Sequence, residues 1–157
     1  MAISIPINGR AAKNRSTFRM EIAVGTNIRA TPARIWKALT DSQDFPRWNS
    51  TVTKIQGNIA LGEALQITVP IAPNRVFKVK VSEFEPGKRM VWRDGAAPMF
   101  QGVRTYTLTA KPDGTTDYTM SEVFNGLMLP MIAGSLPDMA PVFETYAADL
   151  KREAERA

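Results

Sequence analysis

The chain has no cysteine and no histidine among its 157 residues. Without cysteine there are no disulfides, thiolate nucleophiles, iron–sulfur clusters or thiolate zinc sites. Without histidine there is no Ser-His-Asp or Cys-His catalysis and no imidazole ligand for a metal. Chemistry is left to carboxylate, phenol, hydroxyl, amine and guanidinium groups, and no metal or cofactor is expected. Long apolar runs are also missing. Near the start Ile3, Ile5, Pro6 and Ile7 are too interrupted by polar and basic residues for a signal peptide or membrane span. A cytoplasmic protein without integral membrane association is the expectation.

Positive charge is in excess, with a formal net charge of +5. Four of the 20 basic residues, Arg10, Lys13, Arg15 and Arg19, precede the first acid, Glu21, so the other 16 nearly balance the 15 acids. The basic residues of the body are dispersed and not interleaved with aromatics, which argues against nucleic acid as a partner. Length and a 44% hydrophobic content suit one domain with a sizeable core. The expected organisation is a basic extension over residues 1–17, packing on something, and a single domain over 18–157.

Within that domain the apolar period changes twice. Met20, Ile22, Val24 and Ile28 alternate, predicting a strand over 19–30 with one apolar face. Thr31-Pro32 is a helix start, and Ile35, Trp36 and Leu39 continue it for about two turns. A second helical turn is expected over 42–45, before Pro46. Strands are then predicted over 51–56, 64–71, 76–84, 89–93, 103–110 and 116–124. Their separators are Gly57-Asn58, Pro73-Asn74, Pro86-Gly87, Gly95 with Pro98, and Pro112-Asp113-Gly114. Such short connections require antiparallel neighbours. Met139, Phe143, Tyr146 and Leu150 recur at helical spacing and predict a last helix over about 137–155, with Gly134, Pro137 and Pro141 interrupting its entry. The charged run from Lys151 to Glu155 is expected on a solvated face of it.

This order and several local sequences resemble the START-like helix-grip, or SRPBCC, superfamily, which includes birch-pollen-allergen-like and polyketide cyclase/dehydrase-like proteins. Ala30-Thr-Pro-Ala-Arg-Ile-Trp-Lys-Ala-Leu-Thr-Asp41 is similar to the family's first strand-to-helix passage, followed by Trp48. Val81-Ser-Glu-Phe-Glu-Pro-Gly-Lys-Arg-Met-Val-Trp92 is similar to its central hairpin, and Gly114-Thr-Thr with Ser121-Glu-Val-Phe-Asn-Gly126 to its last. The resemblance implies an α+β fold in which a curved antiparallel sheet of about seven strands grips the long C-terminal helix, with two short helices after the first strand. It also implies an internal cavity for an apolar or amphipathic small molecule, lipid-like or aromatic. The expected lining is Trp48, Leu65, Ile67, Val69, Phe77, Val79, Met90, Trp92, Met120, Met131, Met139 and Phe143, with Met128, Met131 and Met139 suited to an adaptable lid.

The last hairpin allows a sharper expectation. If its turn sets Ala110 opposite Thr116, then Leu108 faces Tyr118, Tyr106 faces Met120 and Arg104 faces Glu122, all on the inward face. Inward Arg104 and Glu122 must pair, because either charge buried alone is costly. Three roles remain open for the pair: a partly solvated ion pair at the sheet end, polar anchors of a ligand, or catalytic groups with Tyr106 or Tyr118. In that last case Arg104 would stabilise an oxyanion and Glu122 would move a proton. The corresponding functions are a small-molecule binding or transport protein, a cofactor-free polyketide cyclase/dehydratase-like enzyme, and a protein-interaction module. A homodimer is left open.

Overall fold

A computed structural model describes residues 4–156, so Met1 to Ile3 of the expected extension lie outside the described residues. The strands are β1 (Ala12–Arg15), β2 (Arg19–Ile28), β3 (Lys54–Gln56), β4 (Ala64–Val69), β5 (Ala72–Glu85), β6 (Arg89–Ala96), β7 (Phe100–Ala110) and β8 (Thr116–Asn125). They form one antiparallel sheet in the order β1-β2-β8-β7-β6-β5-β4-β3. Helices α1 (Pro32–Thr40) and α2 (Phe45–Trp48) follow β2, and α3 (Leu129–Ile132), a 3₁₀ turn (Ala133–Ser135) and the long α4 (Ala140–Glu155) follow β8. The architecture is the helix-grip α+β fold, with eight strands in place of about seven.

The additional strand comes from the N-terminal extension, which pairs with β2 from Ala12↔Ala23 to Arg15↔Met20. Ile7 bridges to Gly25, whose amide neighbourhood is closed by Gly9 N donating to the Gly25 carbonyl at 2.7 Å. A side chain at Gly25 would collide with Ile7, Ile5 and the Pro6 carbonyl, so glycine is what lets the extension lie against the strand. Burial on β2 therefore departs from the expected alternation: Ala23 and Glu21 are buried along with Ile22 and Val24.

Local chemistry explains most boundaries. Thr31 caps α1, its Oγ1 accepting from Arg34 N at 3.2 Å, and Pro32 occupies the first turn, where no amide is needed. The second helix starts at Phe45, where it was expected to end, because proline is also tolerated in a first turn and Pro46 sits there. The β4–β5 turn falls at Pro70-Ile71 and leaves Pro73 and Asn74 inside β5. That stretch of β5 has no β6 partner before Lys80, so a missing amide donor costs nothing on that side. The β6–β7 turn likewise lies at 97–99, carrying β6 on to Ala96. Pro141 lies in the first turn of α4, which begins at Ala140 and extends about 24 Å at 1.5 Å per residue.

Helix α4 crosses the gripping face with Phe143, Tyr146, Ala147 and Leu150 buried. Its C-terminal half is not the solvated face expected from its charges. Asp149 and Glu153 are buried. Asp149 accepts from Ser50 N at 2.8 Å and Ser50 Oγ at 2.7 Å and pairs with Arg152 at 2.5 Å. Glu153 pairs with Arg47 at 2.6 Å and Arg34 at 3.4 Å, while Glu155 accepts from Arg29 N at 2.9 Å and from Lys151 at 2.5 Å.

Candidate functional site

The β7–β8 hairpin has the expected register: Ala110↔Thr116, Leu108↔Tyr118, Tyr106↔Met120 and Arg104↔Glu122. Turn chemistry at Pro112-Asp113-Gly114 fixes that register, Thr115 N donating to Asp113 Oδ1 at 3.0 Å. Tyr106, Tyr118 and Met120 are completely buried on the gripping face, and Arg104 Nε donates to Glu122 Oε1 at 2.6 Å near its edge. The two charged side chains keep 19% and 15% of their surface, so the pair sits at a mouth and not in the deep core.

Above this pair lies α4. The Arg104 guanidinium is 5.2 Å from the Phe143 ring centre and 5.9 Å from that of Tyr146. Tyr106 and Tyr146 share a 2.8 Å hydrogen bond between their hydroxyls. Ring contacts extend the cluster, with Trp92 5.0 Å from Tyr106 and Trp48 6.3 Å from Tyr146. Three polar atoms in this interior are buried with no partner among the described residues: Trp48 Nε1, Trp92 Nε1 and the Tyr118 hydroxyl.

The electrostatics separate the groups by role. Burial works against the Arg104 charge, but the Glu122 carboxylate and the phenols of Tyr106 and Tyr146 more than offset it and hold the guanidinium protonated. Burial also raises the phenols of Tyr106, Tyr118 and Tyr146, which are therefore neutral hydrogen-bonding groups and poor bases at neutral pH. Asp94 joins the site from β6, opposite Gly102 and two residues beyond Trp92. Its carboxyl is raised above the ordinary range by desolvation and then by repulsion from Glu122. A side chain at Gly102 would strike Asp94 Oδ1, so the glycine makes room for the carboxylate.

The expected lining divides into three groups. Trp48, Leu65, Ile67, Met90, Trp92, Tyr106, Tyr118, Met120 and Phe143 are buried in one cluster, and Val69, Phe77, Val79 and Met139 pack half-buried against it. Met131 does not belong: it is 76% exposed on α3, which turns it outward from the grip. The buried members also pack side by side instead of facing an open chamber, with Leu65, Met90, Tyr106, Tyr118 and Met120 at 0% exposure. Alternating apolar residues serve a solid core and a chamber equally well, so the chamber was not decided by pattern. Two surface hollows of about 340 and 410 Å³ lie elsewhere, around Lys37 to Gln43 and around Gln56 to Gln66. Sequence reasoning missed Asp94 and the role of Tyr146. Asp94 continues the parity of Met90 and Trp92 and was lost because the strand was expected to end at Arg93.

Comparison with known proteins gives one family, described as polyketide cyclase / dehydrase and lipid transport, which matches residues 19–156. No curated protein matches. A solved protein from Mesorhizobium loti is 21% identical, with a TM-score of 0.68, covering 87% of this chain and 98% of that one. Norcoclaurine synthase from Thalictrum flavum, in a truncated form, is 12% identical with a TM-score of 0.66, covering 92% of this chain and 99% of that one. A protein of unknown function from Enterococcus faecalis is 14% identical with a TM-score of 0.65, covering 92% and 77% respectively.

Proposed function

We propose that this chain, which belongs to the polyketide cyclase / dehydrase and lipid transport family, binds an amphipathic small molecule within the grip. The apolar body would lie between sheet and α4, and an oxygen-bearing head at Arg104. The observation that carries this is the surplus of donors inside. Both indole N–H groups of Trp48 and Trp92 and the Tyr118 hydroxyl lack partners among the described residues, and the Tyr106–Tyr146 bond uses only one of two hydroxyl hydrogens. Each unsatisfied buried donor costs about 1–3 kcal/mol. A ligand with carbonyl or carboxylate oxygens on an aromatic or aliphatic body would satisfy them, with Arg104 as the charge-assisted anchor. Entry requires the grip to part, and the Pro- and Gly-broken segment from Gly126 to Met139 is suited to that.

Native mass spectrometry of the full chain, purified from its own host and then titrated with a long-chain fatty acid and with an aromatic ketone, tests this. Retained small molecule, or uptake weakened by Arg104→Met, is the expected result. A ligand-free protein that takes up neither probe overturns it. A second reading, a cofactor-free cyclase/dehydratase, is favoured by one observation: Asp94, held protonated to higher pH than an ordinary carboxyl, lies beside the Arg104–Glu122 pair. A carboxyl that holds its proton to higher pH than usual would supply a general acid at such a site. Turnover of a candidate substrate unaffected by both Arg104→Met and Glu122→Gln would remove that reading.

A further inference from the structure

The register places one set of chain segments at the mouth end of the sheet: the entries to β2, β5 and β7 and the exits from β1, β4, β6 and β8. Exposed large apolar side chains concentrate there. Phe18, Ile71, Val76, Met99, Leu127 and Met131 are 43–76% exposed, whereas at other positions only Ile7 and Leu61 are comparable among the described residues. Phe18, Ile71 and Met99 lie in the β1–β2, β4–β5 and β6–β7 connections, Val76 in β5, Leu127 just after β8 and Met131 in α3.

We propose that this end docks on a lipid surface bearing anionic headgroups, with Phe18, Met99, Leu127 and Met131 inserting at the headgroup boundary. Three observations favour a lipid surface over a protein partner. First, the segments that carry the apolar tip are tied together by their own backbones. Gly126 N donates to the Phe18 carbonyl at 3.1 Å, Leu127 N to that of Pro98 at 3.0 Å and Met128 N to that of Met99 at 2.9 Å. A tip entering an apolar layer must satisfy its backbone internally, and these donors are satisfied. Second, cations accompany the apolar groups. Arg15, three residues before Phe18, is exposed with no carboxylate partner among the described residues, and Arg75, beside Val76, is exposed with its guanidinium 4.7 Å over the Phe77 ring. The exposed carboxylate on the approach to α4, Asp138, is already paired with Lys13 at 3.3 Å. Third, the protruding side chains come from three strand connections, from β5 and from the segment after β8, and a fluid boundary accepts insertions from several segments without a matching surface. No helix among the described residues is long and apolar enough to cross a membrane. The contact is therefore assigned to the interface plane.

This inference does not depend on the internal ligand, since docking is measured without one. Flotation of the full chain with vesicles of phosphatidylcholine, with and without phosphatidylserine, tests it. The parent protein should float with the serine-containing vesicles, and added salt should release it in part. Leu127→Ser with Met131→Ser should lower partitioning at least roughly tenfold. Arg15→Ser with Arg75→Ser should lower binding to the anionic vesicles by about fivefold per residue, and binding to phosphatidylcholine alone much less. All four positions are exposed, so unchanged melting certifies the fold of both variants. A parent that floats with neither vesicle, or an apolar variant that floats like the parent, overturns the proposal. Self-association or capture of a protein that is lost in Leu127→Ser/Met131→Ser, with vesicles left unbound, overturns it in favour of a protein interface.

Discussion

The two halves of α4 use polar groups in opposite ways. Over its last two turns Asp149, Glu153 and Glu155 each accept from at least two residues, drawn from α1, α2, Ser50, Arg29 and the helix's own Lys151 and Arg152. Over its first two turns Phe143 and Tyr146 cover an interior in which two indoles and a phenol have no partner among the described residues, and Arg104 is held by Glu122 and by the rings of Phe143 and Tyr146. The first arrangement fixes the helix to the sheet edge and the short helices. The second leaves hydrogen-bonding capacity unspent, at a cost to the closed state, where a ligand would recover it. Anchoring and receiving are thus separated along one helix.

The largest effect that tests this contrast is on the anchored half. Asp149→Ala strips the Ser50 amide and hydroxyl of their acceptor inside the fold, and a loss of about 2–4 kcal/mol is expected. In thermal unfolding this lowers Tm by on the order of 10 °C. Glu122→Ala, at the partly solvated mouth, should cost about 1 kcal/mol. Equal costs at the two positions would break the contrast, since the mouth pair would then be as deeply structural as the anchor.

A smaller and more discriminating pair lies in the interior itself. Tyr106→Phe removes a hydroxyl engaged with Tyr146 and should cost about 1 kcal/mol, whereas Tyr118→Phe removes one with no partner and should be neutral or stabilising by up to about 1 kcal/mol. Denaturant unfolding of the ligand-free chain separates them. If Tyr118→Phe is as costly as Tyr106→Phe, that hydroxyl has a partner and the donor surplus shrinks by one.

How far the sequence discloses these two regions differs for a physical reason. The mouth pair was legible because a hairpin with strong turn chemistry fixes its register, and parity then puts Arg104 opposite Glu122 without any long-range information. The anchored half was not: the partners of Glu153 are Arg34 and Arg47, more than a hundred residues away, and a charged helix end reads as solvated until those partners are known. Asp94 was lost to Gly95 and Pro98, which look like an early turn although the strand runs through Gly95 to Ala96. The additional strand β1, Ala-Lys-Asn-Arg, has no apolar alternation because it is an edge strand with three exposed residues, held by backbone pairing to β2. Met131 was misplaced because methionine beside a helix break suits a lining and a protruding tip equally.

The smallest expected effect is in the pH dependence, where the two halves should differ in sign. Glu155 is lowered to about 2, by the Arg29 amide and then Lys151, and Glu153 is lowered by Arg47. A depressed carboxyl contributes stability that is complete above its unfolded value near 4.5 and is lost as the pH falls toward its folded value. Asp94 is raised, so the folded state holds its proton more tightly than the unfolded chain does, and stability is lost as the pH rises through that window. Glu155→Gln should therefore flatten the acid limb of a Tm-against-pH curve between about 4.5 and 2. Asp94→Asn should raise Tm slightly at neutral pH and leave it unchanged at acid pH, where the parent carboxyl is already neutral. A variant less stable than the parent at neutral pH would mean that the Asp94 carboxylate is held by Arg104 and Arg75 more than it is opposed by burial and Glu122, and the mouth would then be an anchor like the other end.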